Sequence, residues 1–212
     1  MRPFYLTCVA SVVLGASLSA CVPLVMGGAF VGSAMVATDR RTSGAQLEDE
    51  GIELRANNRI GQALSEQAHI NVTSYNRQVL LTGEVPTAAD KQKLDDLVLK
   101  VDNVRSVVNE VAVLGTTSLS QRSSDTLVTG KVKAALVDAR DLQSNVFKVV
   151  TERGVVYLMG RVSQREADRA TELARNVSGV QKVVRVFEVL SEDELKNAVP
   201  QPAPVSTATP AS

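Results

Sequence analysis

The run Val79-Leu80-Leu81-Thr82-Gly83-Glu84-Val85 recurs 77 residues later as Val156-Tyr157-Leu158-Met159-Gly160-Arg161-Val162. Behind each copy comes a helical stretch and then a second valine-rich run. The first is Val104, Val107, Val108, Val111, Val113 and Leu114; the second is Val180, Val183, Val184, Phe187, Val189 and Leu190. Self-similarity at a fixed period makes each period one structural unit. The chain is therefore two copies of a small α/β module of roughly 65–70 residues each, near the lower limit for an independent core. Aromatic residues make up only 3% and Trp is absent, so both cores must be built from Val, Leu, Ile and Ala.

Periodicity supplies the elements. From Asp49, the spacing of Ile52, Ala56, Ile60, Ala63 and Leu64 predicts a helix. Ile70, Val72 and Ser74 alternate as a strand, Tyr75-Asn76-Arg77-Gln78 turns, and residues 79–85 return as the second strand of a hairpin. Pro86 ends it. A helix with Leu94, Leu97, Val98 and Val101 inward follows, and residues 104–114 form the last strand. In the second copy Ser124 or Asp125 is expected to cap a helix that buries Val128, Val132, Ala135 and Leu136. Residues 146–151 and 155–162 make a hairpin around Glu152-Arg153-Gly154. Ser163 opens a helix with Ala167, Ala170, Ala174 and Val177 inward, and residues 180–190 close the module.

The order in each copy is αββαβ. A hairpin plus a strand returning over a crossover helix gives a three-stranded mixed sheet, with two helices on one face. The expected class is α+β: two tandem modules, each a two-layer sandwich. Their expected bounds are 48–114 and 124–191, joined by a linker at 115–123. Residues 192–212 form a C-terminal end whose Pro/Ala/Ser/Thr tail is expected to be disordered. Gly83 and Gly160, late in their strands, are expected to be structural, marking a bulge or a close backbone approach.

The N-terminus carries a different signal. Arg2 precedes an uncharged apolar stretch at residues 4–18, the n-region and h-region of an export signal. It ends in Leu18-Ser19-Ala20-Cys21, which resembles the lipobox of bacterial lipoproteins. That resemblance implies a signal peptide at 1–20, triacylation of Cys21 and, with Val22 rather than Asp next, sorting to the outer membrane. One acyl chain binds a membrane only marginally, whereas two or more anchor it durably. Residues 21–47 are then the lipidated N-terminus and a leash. The apolar stretch 22–37 is weakened as a helix by Pro23, Gly27, Gly28 and Gly32. With Cys8 in the signal and Cys21 modified, no disulfide is expected.

Several motifs recur in order. Hydrophobic-x-hydrophobic-Thr/Met-Gly-x-Val surrounds Gly83 and Gly160. Val101-Asp102-Asn103-Val104 and Val177-Ser178-Gly179-Val180 enter the last strands. Ile70-Asn71-Val72-Thr73, Ser124-Asp125-Thr126, Lys131-Val132-Lys133 and Thr151-Glu152 stand between them. Together these resemble the BON domain, a module of bacterial envelope proteins. With the lipobox, the arrangement over residues 18–190 is similar to that of dual-BON outer-membrane lipoproteins.

The resemblance implies a non-enzymatic, lipid-anchored protein on the periplasmic side of the outer membrane. It implies that the first helix of the second module binds anionic, phosphatidylglycerol-like phospholipid of the inner leaflet. It also implies support of outer-membrane integrity at division sites, with links to the outer-membrane protein assembly machinery and to amidase regulators. The alternative is a periplasmic protein-interaction adaptor for which lipid contact is incidental. Carried onto this chain, the lipid helix is 124–138 and its contacts are Leu127, Val128, Lys131, Val132 and Lys133, although the periodicity also puts Val128 and Val132 on the buried stripe. The family often has Trp where Leu127 stands. A cation near an anionic surface contributes about 1 kcal/mol.

Charge agrees in sign with that assignment. The chain as a whole is neutral, but residues 48–114 hold 7 Lys/Arg and 11 Asp/Glu, a net of −4, and residues 124–190 hold 11 and 8, a net of +3. No catalytic constellation, cofactor motif or metal-ligand spacing is evident. His69 is the sole histidine and reads as a strand-edge or loop residue with no Cys or second His to share a metal. Basic residues are not interleaved with aromatics, so nucleic acid is not an expected partner.

Overall fold

The computed structural model describes residues 39–64 and 67–198. Within them the chain runs through one motif twice. The first copy is α1 (Ser43–Ala63), β1 (His69–Tyr75), β2 (Gln78–Val85), α2 (Ala88–Leu99), β3 (Ser106–Asn109) and β4 (Ala112–Val113). The second is α3 (Leu119–Asp138), a 3-10 turn (Ser144–Val146), β5 (Lys148–Glu152), β6 (Val155–Val162), α4 (Gln164–Arg175) and β7 (Lys182–Val189), followed by α5 (Glu192–Ala198). The fold is the expected α+β duplication. The middle strand of each sheet pairs antiparallel with its hairpin partner and parallel with the returning strand.

Local chemistry explains the hairpins. Asn76 and Arg77, and again Arg153 and Gly154, all have positive φ, the pattern of a two-residue turn matched to strand twist. Positive φ strains every residue here except Gly154. An aspartate from the preceding helix holds each turn. Asp49 accepts from the Asn76 and Arg77 N–H groups at 2.7 and 2.8 Å and from Ser74 Oγ at 2.7 Å. Asp125 accepts from the Arg153 and Gly154 N–H groups, both at 2.8 Å.

The returning strand of the first module departs from the unbroken run expected at 104–114. It breaks after Asn109, whose side-chain oxygen accepts the Val111 N–H at 3.2 Å. Val111 thereby turns into the core.

The central strands do not alternate in polarity because both of their faces are buried. Val79, Leu81 and Val85 pack under α1 and α2 with Ile52, Ala56, Ile60, Leu94 and Val98. Val156, Leu158 and Val162 pack under α3 and α4 with Val128, Val132, Leu136 and Ala170. The opposite faces meet each other: Tyr75 and Leu80 of the first sheet with Tyr157, Met159 and Val186 of the second. The two sandwiches thus stack sheet to sheet, giving layers α/β/β/α within one compact unit.

Polar groups ring this junction. Tyr75 donates to the Val146 carbonyl at 3.1 Å, and burial pushes its hydroxyl up to about 12, so it remains the donor. Asn76 donates to Glu188 at 2.6 Å, and Lys148 pairs with Glu53 at 2.8 Å. Arg40 places two nitrogens on the Glu166 carboxylate, each at 2.8 Å, and a third bond on the Arg161 carbonyl.

Two helices begin ahead of the expected module bounds. The leash drawn to residue 47 ends sooner: Arg40 is buried in its pair with Glu166, and Thr42 Oγ1 caps α1 by accepting the Ala45 N–H. The linker drawn at 115–123 is half helix, because Ser118 caps α3, not Ser124 or Asp125. Both early turns expose mainly polar or isolated apolar residues, so no apolar period announces them.

Gly83 has φ of +109°, and a methyl there would sit 2.0 Å from the His69 carbonyl oxygen; at Gly160 it would sit 2.6 Å from that of Val146. The expected signal peptide at 1–20, Cys21, residues 22–37 and the tail from 199 lie outside the described residues.

Candidate lipid-contacting face

The rotation of α3 about its own axis is fixed from below. Val128, Val132 and Leu136 are core residues, packed with Phe147, Ala167, Ala170 and Ala174. Asp125 is tied to the β5–β6 turn, and Thr129 Oγ1 bonds Thr151 Oγ1 at 2.7 Å. What remains on the far side is therefore determined.

That outer face carries Leu119, Leu127 and Val137, which are 79%, 67% and 65% exposed. Exposed Gly130 and Ala134 lie between them and let a flat surface come close to the helix. At 100° per residue, exposed Lys131 and Lys133 flank this apolar row on opposite sides. Lys133 also stands at the rim of a depression of about 230 Å³, whose apolar lining is Leu136, Val137, Phe147 and Val149. A row of apolar side chains between two ammonium groups can insert a few methyl groups into an acyl boundary while meeting phosphates.

Of the residues expected to contact lipid, Leu127, Lys131 and Lys133 stand on this face. Val128 and Val132 do not: they are buried, one and five positions after Leu127, about 100° and 140° around the helix. They could touch a bilayer only by leaving the core. Leu119 and Val137 were missed. Leu119 fell in the expected linker and joins Leu127 on the outer face only once the helix start is known; Val137 lies inside the expected helix, four residues past the Lys131-Val132-Lys133 motif.

The matching helix α1 also exposes two leucines, Leu47 and Leu54, with Glu50 exposed on that side, and Arg55, at the position of Lys131, is paired with Glu48 at 2.6 Å. Among the described residues no helix is long and apolar enough to cross a membrane. His69 opens β1, and its Nδ1 lies 3.4 Å from Glu84 Oε2.

Residues 48–115 and 124–191 each match the BON domain. Over 185 residues the chain is 39% identical to the outer membrane lipoprotein DolP of Haemophilus influenzae, spanning 85% of this chain and 95% of that protein. Over 151 residues it is 36% identical to the 21 kDa hemolysin of Actinobacillus pleuropneumoniae, spanning 70% and 78%. It is 33% identical to the osmotically-inducible protein Y of Escherichia coli over 54% of this chain and 58% of that one. Both matched segments coincide with a complete helix–sheet module, and so the chain belongs to the BON-domain family and carries the domain twice.

Proposed function

We propose that this chain is a non-enzymatic outer-membrane lipoprotein, anchored through Cys21 and facing the periplasm, whose second BON domain docks on anionic phospholipid through the outer face of α3. The observation that carries this is the exposed row Leu119, Leu127 and Val137 between Lys131 and Lys133. The similarity to an outer membrane lipoprotein over most of both chains supports the compartment and the anchor. The net charges of +3 and −4 on the two domains support which of them faces an anionic surface. Tethering both contacts to one leaflet raises the effective concentration of the second, so a weak intrinsic affinity suffices for docking. Through this double attachment the protein would help maintain the integrity of the envelope, including at division sites.

Vesicle flotation of the unlipidated Cys21→Ser chain tests the proposal. Vesicles containing phosphatidylglycerol should carry the protein up the gradient and neutral vesicles should not, with binding weakened by salt. Equal flotation on both, or on neither, would falsify it.

A further inference from the structure

We propose that the junction between the two BON domains binds a divalent transition-metal cation of the zinc class through His69, Glu84 and Glu152. His69 and Glu84 are cross-strand partners where β1 begins and β2 ends, and Glu152 ends β5 in the other domain. One ligand atom from each lies within 4.8 Å of the others. Zinc bonds of about 2.0–2.2 Å hold ligand atoms roughly 3.4 Å apart, so modest side-chain rotation closes this set onto an ion.

The unpartnered atoms point to a cation. Glu84 is fully buried. Its Oε2 accepts from the Thr117 N–H and Oγ1 at 3.3 and 3.4 Å. Among the described residues its Oε1 has no hydrogen-bond donor, and His69 Nδ1, although 3.4 Å from Glu84 Oε2, makes no hydrogen bond. A buried carboxylate oxygen and an imidazole nitrogen left unmatched are costly. One ion accepting a lone pair from each would satisfy both. Asn71 donates to Glu152 Oε2 at 2.9 Å and orients the third ligand, the role that outer-shell groups play at metal centres.

Donor chemistry selects the ion. Two carboxylates and one imidazole suit zinc and its neighbours, which tolerate mixed N/O ligands and leave a fourth position open. Calcium would require six or more oxygens. A depression of about 240 Å³, lined by His69, Asn71, Thr151 and Glu152 among others, supplies an entry path and room for the open position.

The competitor is Arg153. Its Nη1 lies 3.6 Å from Glu84 Oε1, beyond hydrogen-bond range, and its side chain is 41% exposed. Arg122 and Asp125 line the same depression, so two guanidiniums face three carboxylates and the cluster stays short of positive charge. A divalent ion would release Arg153 to solvent and neutralise Glu84 and Glu152. With two ligands from one domain and the third from the other, it would also clamp the domains together.

The test is independent of lipid binding. The untagged Cys21→Ser chain, stripped with chelator, is titrated with ZnCl₂ against a competing chelator dye, and its melting temperature is followed in parallel. Saturable uptake of one ion per chain and a rise in Tm are expected. His69→Ala and Glu152→Gln should each weaken uptake by about tenfold or more and abolish the rise. Arg153→Ala should tighten it. Co²⁺ should give tetrahedral visible bands that vanish in His69→Ala, a change at a partly exposed strand end that leaves the circular dichroism spectrum unaltered. No saturable uptake by the parent chain, or an unchanged affinity in His69→Ala, overturns the proposal.

Discussion

Leu127 is exposed and stands where the family often has Trp, so its substitution reports mainly on surface chemistry. Leu127→Trp should strengthen binding to phosphatidylglycerol vesicles several-fold, because an indole favours the membrane interface. Leu127→Asp should abolish it, with both variants melting within a few degrees of the parent in circular dichroism. Two glycines make a sharper pair. Gly83 combines φ of +109° with a carbonyl oxygen 2.0 Å from where a methyl would go. Gly83→Ala should cost upwards of about 2 kcal/mol in urea denaturation. Gly130 lies in the middle of α3, and a methyl group added there would meet open space. Gly130→Ala should instead stabilise the chain by about 0.5–1 kcal/mol, since glycine is the weaker helix former. A single glycine in the sequence cannot announce which case it is; the repeat suggested it for Gly83 and Gly160 because both recur late in a strand.

Each hairpin turn depends on an aspartate 27 to 29 residues upstream in the preceding helix. Asp49 was legible only as an acid near a helix start, and Asp125 as a cap. In the structure both are buried inside their helices and hold the positive-φ turn of the hairpin below. Asp49→Ala strips acceptors from two backbone N–H groups and from Ser74 at once, and should cost on the order of 3 kcal/mol. Hydrogen exchange at Asn76 and Arg77 should rise more than exchange in α2; uniform change across the module would mean that the turn is not the point of failure. The elements that bury a stripe were readable from their spacing, as with Ile52, Ala56 and Ile60. The start of α4 at Ser163 was readable too, but the starts of α1 and α3 were not, because Thr42 and Ser118 act through single hydroxyl bonds and the turns after them bury nothing periodic. The same misplaced start hid Leu119 from the candidate face.

What the sequence could not disclose is how the two modules meet. The signal was present, as strands apolar on both faces, but it names no partner surface. Docking of the two sheets is what assembles His69, Glu84 and Glu152, and what pairs Arg40 with Glu166, across 83 and 126 residues of chain. Leu80 and Met159 are fully buried at the centre of that contact, and truncation of either to Ala should cost about 2–5 kcal/mol. The rim gives the junction a pH dependence. Burial disfavours the charge on Glu166, but Arg40 and then Ser163 outweigh it and hold the carboxyl below its usual 4.5. Glu188 is held low in the same way, with Arg105 and Asn76 overcoming burial. A carboxyl depressed in the folded state stabilises fully above its unfolded value, and the stabilisation fades as pH falls through the folded one. Stability of the Cys21→Ser chain in urea should therefore hold from neutrality to about pH 5 and decline below 4.5. Glu166→Gln leaves Arg40 buried without its counter-charge and should lose on the order of 3 kcal/mol at neutral pH. Its decline below 4.5 should be shallower than that of the parent, since one of the depressed carboxyls is gone. Identical slopes in the two chains would mean that the Arg40–Glu166 pair does not couple protonation to docking, and that the acid sensitivity of the junction resides in Glu188.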